Sequence, residues 1–318
     1  MAVPPKISVL IPVYNGERHL AECVESVLTQ DFTDLEILIG DDGSTDGSQK
    51  IIESLAARDP RVRWWRNPRN VGLTANTNVC IRAAQGEYLK FVHQDDKLLS
   101  ASAIRLLAAA LDANPTASLA GCRQHLTGTS SPPTIFSDRP GVFAGRQMII
   151  TCLEQNSNLM GQPSLTMFRR CQAQRGFDER FTGFMDYEMW CHLLEQGDYV
   201  YLPETLATWR VHQHHQTARA RTSKVPDREH LEFVEIYYAK PWLRAAATER
   251  LLFTQIYYLK KHYGQAALPL TSAMMAQLSQ RRYAWQWLKY KASRPLEKLS
   301  RKLRWWGIYP GPTSQTLD

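Results

Sequence analysis

The chain has no Gly-x-Gly-x-x-Gly after its first apolar run and no Gly-x-x-x-x-Gly-Lys-Ser/Thr anywhere. The two usual backbone cradles for phosphate are therefore missing, and a nucleotide bound here needs another way to balance its charge. The six cysteines (Cys23, Cys80, Cys122, Cys152, Cys171, Cys191) form no Cys-x-x-Cys and stand at no zinc-finger spacing from a histidine. That argues against a disulfide framework or a structural zinc, and for reduced thiols in a cytosolic setting. The start, Met1-Ala2-Val3-Pro4-Pro5-Lys6, is not a basic-then-apolar leader, so no signal peptide is expected. No uninterrupted apolar run approaches the roughly 18 residues needed to cross a bilayer. The expectation is a cytoplasmic protein, soluble or peripheral at the inner face of the membrane. Internal repeats and low-complexity tracts are also absent.

What is present is a series of apolar runs that end in polar or acidic turns. Leu35–Ile39 runs into Gly40-Asp41-Asp42-Gly43-Ser44-Thr45-Asp46-Gly47-Ser48. Tyr88–Val92 runs into His93-Gln94-Asp95-Asp96, and Ile7–Val13 into Tyr14-Asn15-Gly16. Asp-Gly and Gly-Ser are ordinary turn chemistry, but three such strand ends within about ninety residues point to one crevice. Between them, Leu20, Cys23, Val24, Val27 and Leu28 recur at helical spacing, as do Ile51, Ile52 and Leu55. Val62–Trp65 reads as a strand, 74–85 and Ala101–Ala113 as helices. This alternation of strand and helix predicts an α/β fold with a mainly parallel sheet covered on both faces.

From about 120 to 175 the pattern weakens, with Ser164–Phe168 as a candidate strand. Asp186 to Gln196 reads as a helix, and Tyr199–Leu202 and Leu206–Val211 as two short strands. Beyond about 215 the strand signals vanish, and 228–304 looks helical with breaks at Pro241, Gly264 and Pro295. The expected division is a catalytic domain over 1–215 and a helical region over 216–318.

Carboxylates beside a diphosphate repel it unless a divalent cation stands between them. Asp95-Asp96 supplies hard oxygen ligands for Mg²⁺ or Mn²⁺, which keep phosphate oxygens and water in their shells. One Asp of the pair can take the metal while its neighbour accepts a ribose hydroxyl. Asp42 can accept from a base N–H or from the ribose.

Ile7–Asn15, Asp41–Ser48, Asn70-Val71-Gly72…Asn76, Gly86–Asp96 and Phe177–Gly197, in this order and spacing, resemble the family-two glycosyltransferases of the GT-A fold. The resemblance covers roughly residues 5–215. It implies an inverting enzyme that moves a sugar from a nucleoside-diphosphate donor to a saccharide or lipid-linked saccharide acceptor, in bacterial surface polysaccharide or lipopolysaccharide assembly. It also implies that Pro12, Val13, Tyr14 and Asp42 line the base and ribose, that Asp95 touches the ribose, and that Asp96 binds the metal. Many relatives carry Asp where His93 stands, which leaves the number of carboxylates on the metal open.

By the same resemblance Asp186, in Met185-Asp186 where the family often has Glu-Asp, is the catalytic base. An inverting transfer requires a carboxylate that takes the acceptor's hydroxyl proton; the alternative is that Asp186 caps the helix that follows. Arg210-Val211-His212 resembles the family's Arg-x-His, and His212 either completes the metal or diphosphate site or is a surface histidine. Two other functions remain open: a nucleotidyltransferase, which would want a Gly-rich basic loop after the first strand, and a non-catalytic scaffold, which would have lost the acids.

The net charge of +7 is unevenly placed. Residues 281–304 hold nine Lys/Arg and one acid, Glu297; residues 1–280 hold 29 of each sign. Tyr283, Trp287 and Tyr290 share one helical side of this tail, and Leu296, Leu299, Leu303 and Trp306 form a second apolar stripe. Basic amphipathic helices of this kind suit an anionic membrane surface. Packing on the body and nucleic-acid binding are the alternatives, and nucleic acid is not expected.

Overall fold

The computed structural model describes residues 3–128, 136–211 and 225–291. They divide into two compact units: residues 1–152 with 157–234, and residues 153–156 with 235–318.

The first unit is built on an eight-stranded sheet of order β3-β2-β1-β4-β7-β5-β8-β6. β1 (Ile7–Val13), β2 (Leu35–Asp41), β3 (Val62–Arg66) and β4 (Tyr88–Phe91) are mutually parallel. Every residue of β1, β2 and β4 is buried, as expected of parallel strands covered on both faces. The connecting helices are α1 (Leu20–Leu28), α2 (Ser48–Arg58), α3 (Leu73–Ala83) and α4 (Ala103–Ala113). α1 buries Leu20, Cys23, Val24 and Val27, the stripe its spacing predicts. β2 runs two residues past its apolar stretch, through Gly40. A Cβ at Gly40 would stand 2.9 Å from Cys80 Sγ and 3.0 Å from Asn76 Oδ1, so its bareness lets α3 lie close against β2.

β5 (Ala117–Thr127) pairs with the antiparallel β7 (Thr166–Arg169) on one side and the parallel β8 (Asp198–Arg210) on the other. β7 in turn pairs with β4, and β6 (Gly141–Phe143) closes the edge antiparallel to β8. Three sequence expectations change here. The candidate strand Ser164–Phe168 begins only at Thr166, because Pro163–Leu165 forms a 3-10 turn with proline at its start. The two short strands near 200 and 208 are one, interrupted in its pairing: Leu202 faces Cys122 and Thr205 faces Arg123, so Pro203 and Glu204 fall between the partners. Proline has no N–H to give a ladder and is tolerated at such an irregularity. β5 and α5 (Gly145–Gln155) lie in the stretch that carried little periodicity.

Strand order puts β1 between β2 and β4, with chain direction along the sheet reversing there. The carboxyl ends of these three strands therefore lie side by side at a topological switch point, where open sheets bind ligands. α6 (Met185–Leu194) follows β7, and α7 (Val225–Ala239) starts in the first unit.

The second unit is helical: the end of α7, α8 (Pro241–Ala246), α9 (Glu249–Tyr263), α10 (Leu268–Leu278) and α11 (280–291). Pro241 opens α8, Thr248 caps α9 by accepting from Leu251 N, and Gly264 ends α9 at φ 53°. These are the breaks the sequence shows at 241 and 264; Pro295 lies outside the described residues. The buried Gln255 fastens 153–156 to α9, its Nε2 donating to Leu153 O at 2.6 Å and to Asn156 Oδ1 at 2.8 Å. Among the described residues no helix is long and apolar enough to cross a membrane.

Candidate active site

At the end of β1, Pro12 and Val13 are buried and the Tyr14 side chain is 41% exposed. The Gln94 amide clamps the Tyr14 backbone, accepting from its N–H at 2.8 Å and donating to its carbonyl at 3.0 Å. A Cβ on Gly16 would come within 2.6 Å of Gln94 Oε1, so the clamp depends on glycine there. The β1 and β2 turns are laced together: Asn15 N donates to Ser44 Oγ, Thr45 N to Asn15 Oδ1, and Glu17 N to Asp46 Oδ2, all within 3.0 Å.

The first acid pair faces inward. Asp41 is fully buried; its Oδ1 accepts from Ser44 N at 3.0 Å and its Oδ2 stands 3.4 Å from Arg66. Asp42 is buried too, accepting from Asn67 Nδ2, Val71 N and Gly72 N, each at 2.9 Å. Its carboxylate thus orders the 67–72 turn in front of α3 and keeps about one acceptor site of roughly four for anything else.

The second pair is tied to three elements. Asp96 is buried: Oδ2 accepts from the Ser164 hydroxyl at 2.6 Å and Oδ1 from Arg210 N at 2.8 Å. Burial, and next the Asp95 charge, push its carboxyl well above the usual range, against the pull of those two bonds and of Lys90. Asp95 is half-buried, and its carbonyl accepts from Arg210 Nε at 2.8 Å. Arg210 reaches on to Glu22 at 2.8 Å. Beneath the pair, the Lys90 ammonium is wholly buried in β4 and donates to Ser164 O. Desolvation brings it down to about 8, opposed by Cys122, Asp96 and Cys23.

Asp186 stands in the first turn of α6 but does not cap it, for Phe184 holds the cap position. Its Oδ1 accepts from Tyr187 N at 2.7 Å and its Oδ2 from Asn158 Nδ2 at 3.3 Å. Crowding by protein pushes this half-buried carboxyl up to about 6, despite those bonds. Asn158 is itself oriented, donating to Gly161 O at 3.1 Å and accepting from Met160 N at 3.2 Å. The short stretch from Asn158 to Ser164 therefore holds Asp186 at one end and Asp96 at the other.

The start of α6 is closed from elsewhere. Glu229 of α7 is buried and accepts four hydrogen bonds: Thr182 N at 2.9 Å, Thr182 Oγ1 at 2.6 Å, Gly183 N at 2.7 Å and Phe184 N at 3.0 Å. A carboxylate on free N–H groups at a helix start is doubly favoured, by bonding and by the helix dipole. Phe233 packs beside it on Tyr187, ring centroids 4.7 Å apart. Glu229→Ala strips four donors of one shared acceptor and is expected to cost on the order of 3 kcal/mol. Urea unfolding at matched m-value measures it, and native stability in the variant would show the bonds are replaceable by water.

The structure thus gathers Asp95, Asp96 and Arg210 into one network and links it to Asp186, while Asp42 is bonded to the 67–72 turn instead. His212 lies outside the described residues. Among the described residues no three His, Cys, Asp or Glu side chains converge as a metal cage. A divalent ion here would draw on one or both carboxylates of Asp95-Asp96; each Asp96 oxygen keeps a lone pair beyond its present bond. Phosphate oxygens and water complete such a shell, a donor set that fits Mg²⁺ or Mn²⁺. Ser164, Asn158, Gln94 and Glu229 were not singled out from the sequence. Arg210 opens the run Arg210-Val211-His212, whose sequence signal falls on the histidine.

The family model for glycosyl transferase family 2 matches residues 8–171. A chondroitin synthase of Escherichia coli is 30% identical over 207 residues, 62% of this chain. The match takes in only 28% of that enzyme, and between 28% and 37% of the first three curated relatives. Among solved structures, the S. aureus TarS fragment 1–349 in complex with UDP-GlcNAc superimposes with a TM-score of 0.66 at 18% identity, covering 86% of this chain and 80% of that one. The mannosyltransferase PcManGT from Pyrobaculum calidifontis, in complex with GDP-Man and Mn²⁺, gives 0.59 at 16% identity, covering 93% and 83%. At such identities the structures establish a shared GT-A-like fold. Because the family model spans just over half of the chain, and does so across the strands that carry both acid pairs, this protein belongs to glycosyl transferase family 2.

Proposed function

We propose that the chain transfers a sugar from a nucleoside-diphosphate donor to an acceptor hydroxyl with inversion at the anomeric carbon, in the assembly of a bacterial surface polysaccharide or lipopolysaccharide. The observation that carries this reading is the Asn158–Ser164 stretch, which ties the raised carboxyl of Asp186 to the acid pair at the end of β4. UDP-GlcNAc bound to TarS, and GDP-Man with Mn²⁺ bound to PcManGT, support a nucleotide-sugar donor and a metal. The transferase chemistry belongs, on this reading, to residues 1–215, in the cytoplasm, with a saccharide or lipid-linked saccharide as acceptor.

The donor's base and ribose lie along Pro12, Val13 and Tyr14, with Asp42 offering its remaining acceptor site and Asp95 taking a ribose hydroxyl. Asp96 would hold a Mg²⁺ or Mn²⁺ ion, with His212 as a further ligand on the same reading. When bound, such an ion neutralises charge on the departing diphosphate. Asp186 accepts the proton of the acceptor hydroxyl while that oxygen bonds to the anomeric carbon and the bond to the diphosphate oxygen breaks. Asn158 and Tyr187 N fix the direction of the carboxylate during that step.

A base that must be ionised gives turnover that rises with pH through about 6 and then levels off. kcat measured across that value under saturating substrates tests it, and a flat profile there removes Asp186 from the rate-determining proton transfer. The substrate class is tested by screening nucleotide sugars for metal-dependent hydrolysis and reading the anomeric configuration of the product by NMR. A retained configuration, or no turnover with any donor, overturns the reading.

A further inference from the structure

The helix α11 (280–291) has two differently engaged sides. Tyr283 lies 5.3 Å from the Phe253 ring, and Tyr290 lies 6.0 Å from Phe253 and 5.1 Å from Tyr257. Arg282 bridges to Glu249 at 2.9 Å and Gln286 donates to it at 3.2 Å. The Tyr283–Tyr290 side, which the sequence offers to a membrane surface with packing as an alternative, is thus packed on α9.

At 3.6 residues per turn, Arg281, Trp285, Leu288 and Lys289 fall on another side. All four are exposed, Trp285 at 57% and Leu288 at 54%. Trp287 is 38% exposed. The lysines lie over the indoles, Lys289 Nζ 5.3 Å from the Trp285 ring and Lys291 Nζ 4.9 Å from that of Trp287. Residues 281–291 include four Lys/Arg and no acid, whereas residues 1–280 are balanced at 29 of each sign.

We propose that this side of α11 docks on an anionic lipid surface. Indole and leucine side chains left in water beside lysine and arginine match the boundary between acyl chains and anionic headgroups, where the rings sit at the headgroup level and the cations meet lipid phosphate. Charge complementarity selects this partner over a second copy of the chain, because two such faces would set Arg281 and Lys289 against their own kind. The chain beyond the helix adds Arg294, Lys298, Arg301, Lys302 and Arg304 against Glu297. The inference stands apart from the sugar-transfer reading, since lipid binding requires no turnover.

The test is co-sedimentation of the full chain at low salt with phosphatidylcholine vesicles rich in phosphatidylglycerol, and with pure phosphatidylcholine as the neutral comparison. Binding is expected to the anionic vesicles, falling steeply as salt is added. Trp285→Ala with Leu288→Ala, and separately Arg281→Glu with Lys289→Glu, should each weaken it about tenfold or more while melting temperature stays native. Melting curves tell loss of fold from loss of docking. Native vesicle binding in both double variants overturns the proposal, as does failure of the full chain to bind. It is also overturned if the first pair lowers the melting temperature, which would mean that the face packs within the protein, or converts a dimer to a monomer. Binding to a single-stranded oligonucleotide without vesicle binding would reassign the face to nucleic acid.

Discussion

Asp186→Asn is expected to lower turnover by roughly 10²–10⁴-fold, the usual worth of a positioned general base, while donor affinity stays native. The change removes the charge and little else. An amide oxygen still accepts from Tyr187 N, and the contact disturbed is the longer one to Asn158, at 3.3 Å. Burial already opposes ionisation of this carboxyl, which is why it is pushed up to about 6. A carboxyl whose native pKa lies above its unfolded value stabilises the fold most at acid pH, and that increment is lost as pH rises through about 6. A neutral amide does not undergo that loss. The variant should therefore melt within a few degrees of the native protein at neutral pH while being nearly inactive. Calorimetric titration with the donor nucleotide checks that the site is intact. Transfer at the native rate would place the base elsewhere.

The core of this fold was legible because parallel strands covered on both faces must be apolar throughout. Ile7–Val13, Leu35–Ile39 and Tyr88–Phe91 have no polar face to disguise them, apart from Ser8, Glu36 and Lys90, which are buried with partners of their own. The acids at their ends were legible for the same reason, standing at the abrupt close of an apolar run. β5 was not, since Ser118, Gly121, Arg123, Gln124 and His125 break its alternation although its first six residues are buried. Its apolar environment comes from β7 and β8, which lie far along the chain.

The support of the site was harder to read than the site itself. Ser164 contacts Asp96 across 68 residues and Glu229 contacts Gly183 across 46, and neither residue belongs to a local pattern. Glu229 looks like any acid on a polar helix face until α7 is laid against the start of α6. Arg210 shows the same limit from another side. Its backbone N–H reaches Asp96 and its guanidinium the Asp95 carbonyl, and the geometry of β8 alone decides that.

Asp96→Asn tests the metal directly and carries the second large effect. The amide is nearly the shape of the carboxylate. Its oxygen can still accept from Arg210 N, and its NH₂ can donate to Ser164 Oγ, whose own hydroxyl hydrogen is free to turn. What is lost is the capacity to ionise when a cation arrives, and with it an anionic oxygen for a hard ion. Mn²⁺ should tighten binding of a nucleoside diphosphate to the native protein, and that tightening should shrink by about 10²-fold or more in the variant, the upper end of what even outer-shell partners of a metal site contribute. Affinity without metal should hold, because burial and the Asp95 charge already favour the neutral form of the Asp96 carboxyl when no cation is bound. Lys90 adds a second signature. Asp96 helps keep that buried ammonium charged, so its removal lowers the Lys90 pKa further below about 8. A lysine whose pKa lies below its unfolded value costs stability while charged, and that cost is relieved as pH rises through about 8; in the variant the relief should begin at a lower pH. Calorimetry with and without Mn²⁺ reads the first effect and melting temperature against pH reads the second. An undiminished Mn²⁺ increment in Asp96→Asn would take the ion away from this carboxylate and leave it the structural task of joining β8 to the 3-10 turn at Ser164.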